Sequence, residues 1–592
     1  MTDEDRPMLG RVATPAEHES TTGTFYFWVD RNAVVERTQI VSTKATVGTR
    51  NVTYIGLVQE VYRRSRQKDI GEESARYDGR TAESPMFESE GTTYAEVAIL
   101  RTSPVAHTPP KEEAAVYLAT EEEAKQGYGL DKIKEHNLLA VGLLRNGGEL
   151  YAGKAIVDLG FLLGENGGHL NVNGIAGVGT KTTFLLNMNW LLLREAARQK
   201  LAAPSSVDNL QVVPVIFNVK NFDLFFIDHW NTKYRELEQD YKGDWAAMGV
   251  DKPEPFRHAR FLAPQRKEKG SELPVPTGGR IADVSPYSWS LSDVIEHKLF
   301  RYLFSEDDIG TANLGGLVNE VEEYLSAGPL DKPTLLKGAG EPQTFQELLE
   351  WFKENMKSKE FFGDFMPGTK GSFFRRLKYI VNEGDGVLRK TEAKGKPLRI
   401  PNTAQAGPMV IDLNGLRRTP SLQRFVVAAV FDQISNTQED KQVPNLKYLI
   451  TLDELNRFAP RDSSDAITTL LERVASEGRS QGIILFGAQQ QASLVKPRVI
   501  ENAALRVVGR SGTLELGADV WKFLGPSARS AAAQLQPEEK LLYLPSFREP
   551  MLAKIPFPPF ALSENEKGDK LGEKAKTISE VFPTSDPENP GW

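Results

Sequence analysis

The run Gly174-Ile-Ala-Gly177-Val178-Gly179-Thr180-Lys181-Thr182-Thr183 follows the apolar-leaning stretch His169-Leu-Asn-Val-Asn173 and precedes a segment of helical character, Thr182 to Lys200. Strand, glycine turn and helix in that order make a βα unit, the context a phosphate-binding loop requires. Glycines let successive backbone N–H groups converge on an anion, and the helix N-terminus adds positive partial charge. Gly174, Gly177, Val178, Gly179, Thr180, Lys181, Thr182 and Thr183 are therefore expected to cradle nucleotide phosphates. In such a loop Lys181 reaches the β and γ phosphates and Thr182 ligates Mg²⁺. Thr180 stands where the usual pattern has glycine. Either the loop is one residue longer than normal, or Thr180 tolerates a glycine-like position. A Gly-rich turn with no ligand is the plain alternative.

The surroundings are those of an α/β sheet. Val212 to Phe217 reads as a buried strand, and Pro408 to Leu413 as a second. A helix over Leu422 to Ile434, a strand over Tyr448 to Leu452, a helix over Asp465 to Arg479 and a strand over Ile483 to Phe486 continue the alternation. Strands alternating with helices predict βαβ units and a parallel sheet. Tyr448 to Leu452 ends in Asp453-Glu454, which places two carboxylates at the crevice where such sheets bind ligands. Asp453 is suited to the Mg²⁺ shell and Glu454 to polarising the attacking water. Gln489 ends the next strand, either to sense the γ-phosphate or orient water, or as a polar strand cap. Arg479 closes the preceding helix, either as a partner of the helix dipole or as an arginine finger for a neighbouring subunit. Phe217-Asn-Val-Lys-Asn-Phe-Asp223 places further polar groups at a strand end near the same crevice.

The rest of the 592 residues divides by composition. Residues 1–137 carry short aromatic and β-branched runs (Phe25 to Val29, Gln39 to Val41, Thr53 to Val58, Tyr94 to Leu100) and predict a small all-β barrel or sandwich. The polar stretch from Arg63 to Gly91 is expected as a long loop between two of its strands. The first part of the nucleotide core is assigned to 138–230, a mainly helical insertion to 231–405, the second part of the core to 406–562, and an extended arm to 563–592. There is no cysteine, which excludes disulfides, thiolate metal sites and cysteine nucleophiles. With 72 Lys+Arg against 80 Asp+Glu the formal charge is −8, so any nucleic-acid contact must be local. No apolar run is long enough to span a bilayer and the acidic N-terminus is unlike a signal peptide, so the expectation is a cytoplasmic protein without a membrane partner.

These elements, in this order, resemble the HerA family of hexameric DNA-pumping ATPases, relatives of FtsK. The resemblance rests on Gly10-Arg-Val12 opening the barrel, the loop from His169 to Thr183 and Phe217 to Asp223. It also rests on Asp453-Glu-Leu-Asn-Arg-Phe-Ala-Pro460, Glu477-Gly-Arg479, the Gln489 strand and Ile555-Pro-Phe-Pro-Pro559. It implies an α/β fold with a RecA-like P-loop ATPase core, an N-terminal barrel and a helical insertion. ATP and Mg²⁺ are the implied cofactors, Glu454 the catalytic carboxylate and Arg479 the arginine acting in trans, with Gln489 beside them. Ile500 to Arg506 is similar to a segment near the subunit interface of FtsK-like motors, which makes Arg506 and Arg510 second-rank interface candidates. A homohexamer threading double-stranded DNA through a central channel is implied, with Arg266-Lys-Glu-Lys269 and Lys496-Pro-Arg498 as loops able to face it. The implied function is a DNA translocase or helicase working with a NurA-like nuclease, or with a nuclease or sirtuin-type effector, in DNA end processing or anti-phage defence. The chain itself carries no nuclease or NAD-consuming motif. The alternative is a nucleotide-binding hexameric scaffold that activates an effector with little DNA transport.

Overall fold

Aromatic and β-branched residues alternating with small polar ones give each early strand one apolar face, and closing the sheet buries all of those faces together. The computed structural model describes residues 6–572 apart from 17, 66–69, 81–90, 166, 176–179, 222, 269–270, 275–279, 281, 305–311, 327–341, 358–361, 363, 385, 403–406 and 441–442. Six strands, β1 (Met8–Val12), β2 (Thr24–Val29), β3 (Ile40–Val47), β4 (Arg50–Ser65), β5 (Gly91–Ser103) and β6 (Ala115–Leu118), form a closed barrel in the order β1-β2-β5-β4-β3-β6. Phe25, Phe27, Val41, Val97 and Val116 fill its interior. The stretch expected as a loop from Arg63 to Gly91 includes the last residues of β4, a short helix Ile70–Arg76 and the start of β5, while 66–69 and 81–90 lie outside the described residues.

The remaining strands are β7 (Leu138–Arg145), β8 (Tyr151–Asp158), β9 (Leu170–Asn173), β10 (Gln211–Asn218), β11 (His229–Asn231), β12 (Arg260–Glu268), β13 (Ser271–Pro274), β14 (Val284–Tyr287), β15 (Met409–Asp412), β16 (Leu446–Leu452), β17 (Ile483–Gln489), β18 (Leu505–Val508), β19 (Glu539–Tyr543), β20 (Met551–Lys554) and β21 (Lys567–Lys570). A 13-stranded sheet runs β13-β12-β15-β10-β16-β17-β9-β18-β19-β20-β7-β8, with β14 paired to β12. The pairs from β12 through β15, β10, β16, β17 and β9 to β18 are all parallel. Their C-terminal ends therefore open on one crevice.

The period of two along β10 decides which side chains meet which layer. Val213, Val215 and Phe217 join the core that holds the insertion helices, while Val212 and Ile216 join the core under the helix Thr180–Ala202. The segment 231–405 carries strands as well as the expected helices. Its residues Arg260 to Glu268 add a parallel strand beside β15, and Val284 to Tyr287 one beside β12, before the helices Ala312–Ser326, Phe345–Asn355 and Pro367–Glu383 pack on the sheet. The apolar run Phe261-Leu-Ala263 is too short, among charged neighbours, to announce a strand; pairing with β15 makes it one. At the other end, β21 pairs antiparallel with β11, so the arm expected from Ser563 begins with a single helical turn, Glu564–Glu566, and the strand Lys567–Lys570; residues 573–592 lie outside the described part. Among the described residues no helix is long and apolar enough to cross a membrane.

Candidate nucleotide-binding site

Strand β9 is central because β17 and β18 flank it, and the chain leaves it at the crevice end of the sheet. Gly177, Val178, Gly179 and the side chain of Thr180 lie outside the described residues; the loop is defined at its two ends. At its entry, the Gly174 amide donates to Gln489 O at 3.4 Å and the Ile175 amide to Arg510 O at 2.8 Å. At its exit, the helix Thr180–Ala202 begins, 23 residues long, with its N-terminus at the crevice. Lys181, 5% exposed, curls back and donates from Nζ to Gly174 O at 2.9 Å and Ile175 O at 3.3 Å. Burial pushes its ammonium below the usual lysine value, although Asp453 and Glu454 work in the opposite direction. Thr182 donates from Oγ1 to Asp453 Oδ2 at 3.0 Å. Thr183 is half-buried one residue further on.

β16 is buried over Tyr448 to Leu452 and delivers both acids to the same crevice. Asp453 Oδ1 accepts from the Glu454 amide at 2.8 Å. Glu454 takes a left-handed backbone conformation at φ 56°, ψ 49°, a costly geometry for a residue with a side chain and one met at functional turns. Its carboxylate is 6% exposed and is held by Lys220 Nζ and by Gln490 Nε2, the latter at 3.0 Å. Burial alone would push this carboxyl up; the hydrogen bonds from Lys220 and Gln490, with the charges of Lys220 and Lys181, bring it below the ordinary glutamate value. Glu454 is thus held between Lys220 and Gln490 at the end of β16.

β10 contributes the polar turn beyond Asn218. Asn218 Nδ2 donates to Asp412 Oδ1 at 3.0 Å and to Asn221 O at 2.9 Å, tying the ends of β10 and β15 together. Burial raises the Asp412 carboxyl to about 6, against bonds from Asn218, Gly415 and Asn414. Asp223 is also pushed up, first by burial, then by Glu566, with Lys220 opposing.

The structure separates the two glutamines ending β17. Gln489 is fully buried and exchanges two hydrogen bonds with Asn171 of β9, Nδ2 to Oε1 at 3.1 Å and Nε2 to Oδ1 at 2.8 Å. Its amide acts as a clasp between strands, and it is Gln490 that reaches Glu454. The period of two explains the difference: Gln489 shares its side of the sheet with Asn171, whereas Gln490 is past the last paired residue and free to turn toward β16. Lys220 lies two residues past β10 by the same strand-end rule that marks Asp453; the rule names the position without naming a partner.

The arginines fall in three places. Arg479 is exposed in the turn Gly478–Gln481 before β17, at the sheet end opposite the phosphate loop. Seven residues of β17 at about 3.3 Å each put it about 20 Å from Glu454, beyond reach within one chain. Gly164, at φ 101°, passes so close that a Cβ there would lie 3.2 Å from Arg479 Cβ. Arg506 is occupied by its own chain: Nη2 donates to Glu501 O at 2.7 Å and the guanidinium lies 4.9 Å from the Phe523 ring centroid. Arg510 is exposed at the base of the phosphate loop, where its carbonyl holds Ile175. Lys496 and Arg498 begin the helix Pro497–Glu501, with Arg498 exposed, and Arg266 to Glu268 end β12 in a hairpin with β13.

Thr182 Oγ1 and Asp453 Oδ2, already in contact, are a hydroxyl and a carboxylate of the hard-oxygen type that Mg²⁺ accepts, with room in its shell for waters and phosphate oxygens. The pair fits a magnesium ion bound with a nucleotide.

No model of a protein family matches the chain, and no curated protein matches it. Among solved structures it is similar to VirB4 of Thermoanaerobacter pseudethanolicus, at 16% identity over 72% of this chain and 98% of that one, with a TM-score of 0.43. It is also similar to the bacterial conjugative coupling protein TrwBdeltaN70 in its unbound monoclinic form, at 13% identity over 76% and 96% of the two chains, with a TM-score of 0.44. The plasmid coupling protein TrwB in complex with ADP and Mg²⁺ matches at 11% identity over 68% and 88%, with a TM-score of 0.41.

Proposed function

We propose that this protein is an ATP-hydrolysing, ring-forming motor that moves double-stranded DNA. The observation that carries the reading is the contact between two separate elements, Thr182 at the start of one helix on Asp453 at the end of β16, with Lys181 and Glu454 the adjoining residues of each. Lys181 would leave the carbonyls of Gly174 and Ile175 for the β and γ phosphates. Thr182 and Asp453 would hold Mg²⁺, which supplies charge neutralisation at the transferring phosphoryl group. Glu454 would orient the attacking water, fixed in place by Gln490. Phosphoryl transfer needs little covalent help from protein, so positioning and charge make up most of such catalysis.

Arg479 supports the ring. An exposed guanidinium about 20 Å from its own chain's carboxylates is useful to hydrolysis only in a neighbour's site. Arg510, beside the phosphate loop, is then a residue of the receiving face. DNA would pass through the ring's bore, and any nuclease or NAD-consuming step in the pathway would belong to a partner protein.

The test is ATP hydrolysis by the purified chain with and without duplex DNA, alongside particle images. Mg²⁺-dependent turnover raised by duplex DNA, in rings, is the expected result. Nucleotide-dependent assembly with no response to DNA would turn the reading to the scaffold alternative. A chain that stays monomeric with nucleotide and Mg²⁺ overturns it.

A further inference from the structure

Beyond the four residues of the proposed nucleotide site stands a cation that they do not require. Lys220 Nζ forms an ion pair with Glu454 Oε1 and lies 3.9 Å from Asp453 Oδ2, the oxygen that accepts from Thr182. Its ammonium also acts on Asp223 across the same crevice. The lysine is about one-third exposed, whereas both carboxylates on which it rests are buried. It enters from the turn after β10, an element separate from both the phosphate loop and the acid strand, and that turn is fixed by the Asn218 to Asn221 bond. Two buried, adjacent carboxylates repel one another and lose much of their hydration, so an empty site needs a positive charge close by. Lys181 faces the carbonyls at the loop entry. Lys220 faces the carboxylates.

We infer that Lys220 is the resident cation of the Asp453–Glu454 pair, a positioning residue that offsets part of their negative charge and lets a nucleotide enter partly independently of magnesium. The inference rests on the proposed ATP site. Its logic is Coulombic. A nucleotide triphosphate without metal brings only negative charge to a site that already holds two carboxylates, and Lys220 offsets that repulsion. Magnesium arriving with the nucleotide takes over the same task, so the loss of Lys220 is felt far less by the metal-bound ligand. Removing this one charge therefore widens the gap between metal-free and metal-bound affinity.

The experiment measures binding of a fluorescent ATP analogue to the full chain, in excess EDTA and in saturating Mg²⁺, and compares the ratio of the two dissociation constants. A misfolded or loosened variant weakens both, so the ratio reports charge rather than general damage. For Lys220→Met the ratio is expected to rise about tenfold over wild type, from loss of one close unit charge in a partly buried site. Lys220→Arg, which keeps the charge, stays near the wild-type ratio. The double variant Lys220→Met with Glu454→Gln removes both members of the pair and returns toward the wild-type ratio. An unchanged ratio in Lys220→Met overturns the inference, as does a double variant that retains the whole effect of the methionine. Wild-type protein that binds the analogue in neither buffer overturns both the inference and the ATP site. Binding by wild type with no response to Lys220→Met overturns the inference alone.

Discussion

His169 is the most informative place to perturb the sheet that carries the phosphate loop. It immediately precedes β9, is 3% exposed, and takes a left-handed φ of 67°. Its Nδ1 accepts the Leu485 amide at 3.0 Å, so that nitrogen carries no proton in the folded chain. Burial, helped by the nearby charge of Arg479, lowers its value from 6.5 to about 4. Between those values the unfolded chain binds the proton and the folded chain does not, so folded stability rises with pH across the window and is lost as pH falls through it. Integration over that window gives a loss of about 2 kcal/mol from about pH 7.5 to about pH 5. The perturbation is His169→Asn. Asparagine tolerates positive φ, places an acceptor oxygen where Nδ1 stood, and does not titrate. Urea unfolding of wild type and variant at the two pH values isolates the contribution: the variant carries a roughly pH-independent cost from lost packing, and its fall in stability on acidification is smaller by about 2 kcal/mol. A variant that loses as much stability as wild type over the same interval would refute the assignment of His169 as a buried neutral imidazole.

Five substitutions separate the roles of these residues. Lys181→Ala should weaken nucleotide binding about 10- to 100-fold, the worth of charge-assisted hydrogen bonds to phosphate, as read by equilibrium titration. Glu454→Gln should bind ATP while steady-state turnover falls by about 10²-fold or more; measurable wild-type-like hydrolysis removes Glu454 from the catalytic role. Arg479→Ala should bind ATP and hydrolyse it poorly, and mixing it with Lys181→Ala subunits should restore part of the turnover, since each kind supplies what the other lacks. The two glutamines should part company. Gln490→Ala lowers turnover with little change in stability, while Gln489→Ala leaves the Asn171 amide unpaired in the sheet and lowers stability by about 1–3 kcal/mol, read by denaturation. The reverse pattern would refute the division.

Much of the architecture was legible because apolar strands buried on both faces announce themselves. Tyr448 to Leu452 is a largely apolar run and Ile483 to Phe486 a continuous one, and they lie side by side in the parallel sheet. The strand-end rule placed Asp453 and Glu454 at the crevice because side chains just past a parallel strand face the ligand side. It did not discriminate between Gln489 and Gln490, since both satisfy it and only pairing with Asn171 divides them. Lys220 was visible as one polar residue in a polar turn; its importance depends on Glu454, 234 residues away in sequence. Strands β12 and β14 were hidden for a related reason: their sequences are weakly apolar, and β12 becomes a strand by hydrogen bonding to β15 and β14 by hydrogen bonding to β12.

The amino-acid order by itself determined what local chemistry fixes: a glycine turn between strand and helix, a lysine and a threonine at the helix start, two acids closing a buried strand, and an early run of residues that form a barrel. Tertiary structure decided which groups meet. It joined Thr182 to Asp453, gave Glu454 to Lys220 and Gln490, withdrew Gln489 into the sheet, and set Arg479 at the far end from its own carboxylates. Periodicity and turn chemistry act over a few neighbouring residues, whereas these contacts depend on strand order and register, which pair segments far apart along the chain.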